Sequence, residues 1–371
     1  MKPLDGIKVI DLSTLLPGPL ATLILAEAGA EVIKVERIGG EDMRRSPPFI
    51  NGESILFAIL NRGKRSIELN IKSKEGYKKI AKLIKSADVV VDQFRPGVME
   101  RLNLDFKNLI KIKPNIIHCS ITGYGQSGPK KLVAAHDLNY MAESGLLSLA
   151  KEKDGSPAMP NTQIADIAGG SYPAVINILL ALREVEKTGK GKFLDISMTD
   201  NLFPFMWMAL GLTANKFYSK GGDLLLTGAS PRYGIYETLD KGYIALGALE
   251  EKFWLRFCEV INLPNKFIND SIDPNKTKEA IVKIIKKTNT KEWKDILANE
   301  QNICCSIVNS LEEAMQDSQI IERELLSAKM KLGNGEIFPM PTPLAPTWRP
   351  KEILKNAPKL GEANSFYMEK L

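Results

Sequence analysis

Proton chemistry in this chain depends on few residues. The sequence holds two histidines, His118 and His136, so any imidazole base is one of them. His118 lies in the apolar run Ile116-Ile117-His118-Cys119, where a core or edge histidine is the plain reading. His136 follows the polar loop Ser127-Gly128-Pro129-Lys130-Lys131 and opens His136-Asp137-Leu138-Asn139-Tyr140. That pattern predicts a helix start. A helix N-terminus disfavours imidazolium and favours the neutral, proton-accepting form. Helix capping is the other role open to His136.

Asp166 stands among small apolar residues in Ile164-Ala165-Asp166-Ile167-Ala168-Gly169-Gly170, ahead of a long apolar stretch. Desolvation there raises a carboxyl pKa, which acid catalysis needs. A helix N-cap is the alternative. Glu250 follows Leu246-Gly247-Ala248-Leu249 and reads locally as a first-turn helix acid.

Other chemistries find no support in the spacing. The four cysteines (Cys119, Cys258, Cys304, Cys305) form no C-x-x-C pair, and no metal set is expected. The vicinal pair sits in an apolar, strand-like run and reads as buried free thiols, in keeping with a reducing compartment. A strand, a turn and Glu36 at the end of a second strand invite a dinucleotide-binding reading. The turn, Leu15-Leu16-Pro17-Gly18-Pro19-Leu20, lacks the Gly-x-Gly-x-x-Gly that lets backbone approach a pyrophosphate. Neither a Walker A nor a G-x-S-x-G pattern occurs.

The elements that must position these residues begin with a βαβ unit: a strand over 7–12, a helix from Pro17 to Ala28 stopped by Gly29, and a strand over 31–36. Further strands are predicted over 66–69, 88–92, 116–121 and 193–198, with a helix over 74–86. Residues 136–149 and 164–186 have long apolar helical faces. Residues 233–238 and 243–247 alternate around Leu239-Asp240-Lys241-Gly242, a hairpin signal. The expected division is 1–220 for a large α/β domain, 221–308 for a smaller α+β domain, and 309–371 for a proline-rich segment returning to the first.

The chain has 371 residues, 44% of them hydrophobic, and a net charge of +6. That suits an anionic small molecule better than nucleic acid, because no concentrated basic stripe is present. The start carries Asp5 and no long apolar core. The apolar stretch 202–214 is broken by Pro204 and Gly211. A cytoplasmic protein with no membrane partner is expected.

Several segments resemble the family III CoA-transferase (CaiB/BaiF) superfamily, which also holds the α-methylacyl-CoA racemases. They are Leu4-Asp5-Gly6-Ile7-Lys8-Val9-Ile10-Asp11-Leu12, Pro17-Gly18-Pro19, Gly29-Ala30-Glu31-Val32-Ile33-Lys34-Val35-Glu36-Arg37, Asn61-Arg62-Gly63-Lys64-Arg65-Ser66, Phe94-Arg95-Pro96-Gly97-Val98, Thr122-Gly123-Tyr124-Gly125 and Asp195-Ile196-Ser197-Met198. The resemblance implies a Rossmann-like large domain with a smaller domain. It implies an interlocked homodimer with the active site where the large domain of one chain meets the small domain of the other. The substrate implied is an acyl-CoA thioester, with no separate cofactor. Its phosphates would be held by Arg37, Lys64, Arg65 and Arg95, since cationic forks suit phosphate.

His136-Asp137-x-Asn139-Tyr140 looks like the racemase motif, with His136 and Asp166 as the proton-transfer pair. Leu246 to Glu250 looks like the racemase small-domain motif, with Glu250 near that pair. Thr162 stands where such racemases usually carry asparagine, four residues before the aspartate. The implied activity is inversion of the α-carbon of a 2-methylacyl-CoA in fatty acid metabolism. The alternative is CoA transfer, with Asp166 as the nucleophile that forms an acyl anhydride.

Overall fold

Apolar runs in the first half of the chain become a six-stranded parallel sheet. Its strands are β1 (Lys8–Asp11), β2 (Glu31–Glu36), β3 (Arg65–Glu68), β4 (Val89–Asp92), β5 (Ile117–Thr122) and β6 (Lys192–Ser197). Their order in the sheet is β3-β2-β1-β4-β5-β6, every pair parallel. The central strands are buried on both faces because helices cover both faces. The computed structural model describes residues 2–152, 154–217, 224–349 and 355–368.

The helices between the strands follow their local signals. Pro17–Glu27 has prolines in its first turn, and the chain leaves it through Gly29 at φ 113°. Lys74–Lys85 is capped by the Ser73 side chain and buries Ile80, Leu83 and Ile84. These pack with Ile10, Ile33, Ile67 and Val90 into one core. Ala363 and Tyr367, near the chain's end, belong to the same core.

This strand order creates a switch point. The chain runs outward from β1 to β3, then returns to lay β4 on the other side of β1. The loops leaving the carboxyl ends of β1 and β4 therefore diverge and open a crevice, the usual ligand site of such sheets.

Two compact units divide the chain. The first is Met1–Leu146, Met159–Met206 and Ser318–Leu371; the second is Leu147–Ala158 and Trp207–Asp317. The sequence places the change of unit at Gly221, which lies outside the described residues; the second unit takes in the helix Trp207–Ala214 ahead of it. The shift in composition marks the polar stretch after this helix, not the point where the chain changes unit. The second unit contains the antiparallel strands β7 (Tyr233–Glu237), β8 (Tyr243–Gly247) and β9 (Cys305–Ile307), in the order β9-β8-β7. Trp254, Phe257, Ile281 and Trp293 fill its core.

Three details depart from the sequence reading. The helix opened by His136 ends at Ser144, because Gly145 takes the left-handed conformation. Cys304 is exposed at φ 47°, since it precedes β9 and does not lie within it, and Cys305 is half-buried; Cys119 and Cys258 are buried. The apolar helix after Gln163 is longer than the stretch 202–214. Ala165–Thr188 spans 24 residues and is long and apolar enough, by composition alone, to cross a membrane. Here it buries Ala174, Ile178 and Ala181 on one side and exposes Tyr172, Ile176, Leu179 and Leu180 on another.

Candidate active site

A cavity of about 590 Å³ occupies the switch point. Its walls come from the carboxyl ends of four strands: Ser13 and Thr14 after β1, Arg37 and Ile38 after β2, Asn70 and Lys72 after β3, and Phe94 after β4. Arg37 is exposed at the mouth, with its guanidinium 2.5 Å from Asp42 Oδ1. Lys72 adds a second exposed cation. Glu36, the acid that would hold a ribose in a dinucleotide site, is already taken: Arg44 donates to both its oxygens at 2.6 and 2.7 Å, and the Ser66 hydroxyl donates at 2.6 Å. The case against a nicotinamide cofactor thus rests on a spent carboxylate as well as on the missing glycines.

The acids gather where two helices start. Asp166 lies in the first turn of a π-helical stretch, Ala165–Ser171, which continues directly into Tyr172–Thr188. Two glycines permit this packing. A Cβ on Gly169 would lie 2.4 Å from the Met198 carbonyl oxygen after β6, and one on Gly170 would crowd Met198 and Pro17. The helix Asp137–Ser144 begins beside it. Asp137 Oδ1 accepts the backbone N–H of Asp166 at 2.9 Å. Burial pushes the Asp166 carboxyl up to about 7, and the neighbouring Asp137 pushes the same way. Burial also raises Asp137, against the backbone N–H groups of Asp166 and Ala165. Tyr140 is pushed up to about 12 by burial and then by the Asp166 charge, and its hydroxyl donates to the Ala135 carbonyl at 2.7 Å.

His136 is the N-cap residue of the Asp137 helix and is exposed, and its imidazole makes no capping bond. Asn139 does that work: its Oδ1 accepts the His136 N–H at 3.0 Å, and its N–H donates to the His136 carbonyl at 2.8 Å. The imidazole is therefore not spent on the helix. Asp137, adjacent to His136, is bonded to the backbone of Asp166, so the fold links two residues that lie thirty positions apart in sequence. His118 is a buried core histidine, with Nε2 2.7 Å from Asp92 Oδ2 and its ring 5.1 Å from that of Phe193.

The remaining candidates separate. Arg95 is exposed on the loop after β4 and lines a second cavity of about 280 Å³ with Asp92, His118 and Gln126. Lys64 is a correction. Its ammonium is fully buried and lies within hydrogen-bond distance of four oxygens, more than its three N–H groups need: Asp11 Oδ2 (3.1 Å), the Pro19 carbonyl (2.9 Å), Thr22 Oγ1 (2.8 Å) and Asn61 Oδ1 (2.8 Å). It has no face left for a phosphate. Arg65 is a second correction. It begins β3, beside Glu31 at the start of β2, and its guanidinium lies over the rings of Phe366 and Tyr367. That is the amino end of the strands, whereas the cavity lies at their carboxyl ends. Glu250 belongs to the second unit, where it is exposed as the N-cap residue of Glu251–Val260 without capping it through its side chain.

Two residues escaped the sequence reading. Asp137 was visible as an acid one place after His136, but only the fold shows its bond to Asp166. Lys72 follows β3 by four residues, a position that reaches the carboxyl-end crevice in a sheet of this kind. Among the described residues, no group of three or more His, Cys, Asp or Glu side chains could hold a metal ion.

A parallel sheet in the order 3-2-1-4-5-6, a cation-rimmed cavity at its switch point and a desolvated acid at a helix start define a Rossmann-like α/β protein suited to a phosphate-bearing ligand. The chain belongs to CoA-transferase family III, which it matches over residues 4–364. It is 34% identical over 339 residues to mouse succinyl-CoA:glutarate CoA-transferase, covering 88% of this chain and 76% of that protein. It is 32% identical over 367 residues to mouse alpha-methylacyl-CoA racemase, covering 97% and 91%. Among solved structures, Rv3272 from Mycobacterium tuberculosis superposes with a TM-score of 0.86 at 26% identity, covering 99% of both chains. A CaiB/BaiF family protein from Brucella suis gives 0.82 at 26% identity, covering 100% of this chain and 99% of that one.

Proposed function

We propose that this protein inverts the α-carbon of a 2-methylacyl-CoA thioester by 1,1-proton transfer. The thioester acidifies the α-proton, because the electron pair left by the broken C–H bond delocalises into the carbonyl as an enolate. One residue takes that proton from one face, and a second returns a proton to the other face. His136 and Asp166 are the pair in this reading: they hold one proton between them before and after inversion, and two while the enolate stands. Arg37 and Lys72, with Arg95, would hold the CoA phosphates.

The observation that carries this reading is the bond from the Asp166 N–H to Asp137, the residue next to an imidazole not used in capping. A carboxyl near pH 7 is also matched to exchanging a proton at neutral pH. The exposed helical stripe of Tyr172, Ile176, Leu179 and Leu180 supports a second copy of the chain as partner, in an interlocked homodimer to which Glu250 would contribute.

CoA transfer is the second reading, favoured by the 34% identity to a succinyl-CoA:glutarate CoA-transferase. There the Asp166 carboxylate attacks the thioester carbonyl and expels CoA thiolate, leaving a mixed anhydride. One experiment separates the two. The protein is incubated with (2R)-2-methylacyl-CoA in D₂O, with and without a free carboxylic acid. Deuterium at C2 with loss of stereochemical purity, independent of the acid, is the expected result. CoA passing to the added acid with C2 undeuterated would replace racemisation with transfer.

A further inference from the structure

We propose that Glu41 and Lys34 are positioning residues for the acyl-CoA reaction, clamping the turn over residues 13–16 that joins the switch-point cavity to the helix of Asp166. The inference rests on the acyl-CoA reading above.

The turn is held against its own preference. Leu15 sits at φ 62°, the left-handed region, which is unfavourable for a leucine and accumulates at functional sites. Its N–H donates to Glu41 Oε2 at 3.0 Å. The other Glu41 oxygen pairs with Lys34 Nζ at 2.8 Å, and the two side chains are only 2% and 1% exposed. Lys34 Nζ also donates to the Ser13 carbonyl at 2.9 Å. One buried ion pair thus grips the backbone on both sides of Thr14. Asp11 adds a third hold, accepting the Ser13 N–H at 2.9 Å. A buried ion pair adds little to stability by itself, because desolvation offsets its attraction. What this pair does provide is a fixed backbone.

Both ends of the turn meet the site. Ser13 and Thr14 line the cavity. Beyond Leu16, the Pro17 carbonyl accepts the Ser171 hydroxyl at 2.8 Å, and that oxygen lies 3.1 Å from the Asp166 carbonyl. A thioester with its phosphates at Arg37 and its α-carbon at Asp166 runs past this turn. The turn therefore sets the register between the held end and the reacting end.

The test uses four variants of the full chain, with near-ultraviolet circular dichroism confirming the fold. Glu41→Ala removes the acceptor, whereas Glu41→Gln keeps one for Leu15. A misplacement of about 1 Å costs up to ~100-fold, so Glu41→Ala should lower kcat about 10- to 100-fold with KM within about threefold, and Glu41→Gln, which keeps an acceptor for Leu15 but none for Lys34, should restore only part of it. Leu15→Val, β-branched and disfavoured at positive φ, should behave like Glu41→Ala; Leu15→Asn, which tolerates that region, should stay within about threefold of wild type.

Folded Glu41→Ala with kcat within about twofold of wild type overturns the proposal, on the same scale of misplacement. Equal kcat in Leu15→Val and Leu15→Asn also overturns it, and this pair decides the matter should Glu41→Ala not fold. Hydrogen exchange at the Leu15 amide gives a readout independent of turnover. It should be slow in wild type and fast in Glu41→Ala; identical exchange refutes the clamp. A wild-type protein that neither deuterates C2 nor transfers CoA across a panel of acyl-CoA chain types defeats the acyl-CoA reading, whatever the exchange shows.

Discussion

The Asp137 carboxylate accepts the backbone N–H of Asp166, 2.9 Å away, so one acid holds the helix turn that carries another. This bond does two things that can be separated. It fixes the Asp166 backbone, and it sets a negative group beside a carboxyl that burial has already raised. Asp137→Asn keeps the acceptor and removes the charge. The Asp166 carboxyl should then titrate below its present value of about 7, remaining above 3.8 because burial is the larger cause. Asp137→Ala loses both effects and should cost about 10- to 100-fold in kcat/KM. Carboxyl titration by ¹³C NMR checks the first expectation and steady-state kinetics the second. An unmoved titration in Asp137→Asn would show that burial alone sets Asp166.

The pH profile discriminates between the two reactions. Racemisation needs one proton shared by His136 and Asp166, so kcat/KM should fall at alkaline pH, once that proton is lost. The profiles from (2R) and (2S) substrate should coincide, since each enantiomer uses one of the two singly protonated forms. CoA transfer needs only the Asp166 carboxylate, so its rate should rise through about pH 7 and stay level above it. Initial rates from each enantiomer and from added acid, across about pH 5 to 9, give the answer. A plateau at alkaline pH in the racemisation assay would remove His136 from the pair.

Stability should carry the same signature. A carboxyl raised to about 7 in the folded chain, against 3.8 as its ordinary value, binds its proton more tightly when folded. Its favourable contribution is complete below the unfolded value and is lost as pH rises through about 7. Asp166→Asn has no such charge to bury. Its melting temperature relative to wild type should therefore be near zero at about pH 4 and rise by a few degrees at about pH 8. Partial solvent access at Asp166 keeps the gain modest. Differential scanning calorimetry at both pH values checks it, and a difference that shrinks with pH would contradict the raised carboxyl.

The strands were legible in the sequence because their signal is local. Apolar runs of four to six residues bounded by Gly, Pro or charge mark β1, β2 and β4 within a residue or two. The hairpin of β7 and β8 was equally plain, from alternation around Asp240 and Gly242. His136 and Asp166 could be named as candidates from their surroundings. Their linkage through Asp137 could not, because a side-chain bond across 29 residues leaves no periodicity. The cations were harder still. Lys64 and Arg65 stand in one basic run, yet Lys64, just ahead of β3, turns into the core and Arg65, the first residue of β3, stays at the amino edge of the sheet. Only strand direction and register distinguish either from Arg37, which follows β2 at its carboxyl end.

That separation of cations makes the last expectation. Arg37→Ala and Lys72→Ala remove exposed charges from the cavity rim, so each should weaken binding of CoA about tenfold or more and leave the melting temperature nearly unchanged, as for charge-assisted contacts. Lys64→Met should do the reverse. It removes the first of the two cations, Lys64 and Lys34, that offset the burial of the Asp11 carboxylate and hold it below the usual carboxylate range. Breaking a buried pair from one side costs roughly 3–5 kcal/mol, so this variant should melt far lower while its folded fraction binds CoA normally. Arg65→Ala should alter neither quantity much, since its ion pair with Glu31 is long and exposed. Calorimetric titration with CoA and thermal melts on the four variants test all of this. A Lys64→Met protein that keeps wild-type stability but loses CoA would return Lys64 to the binding site.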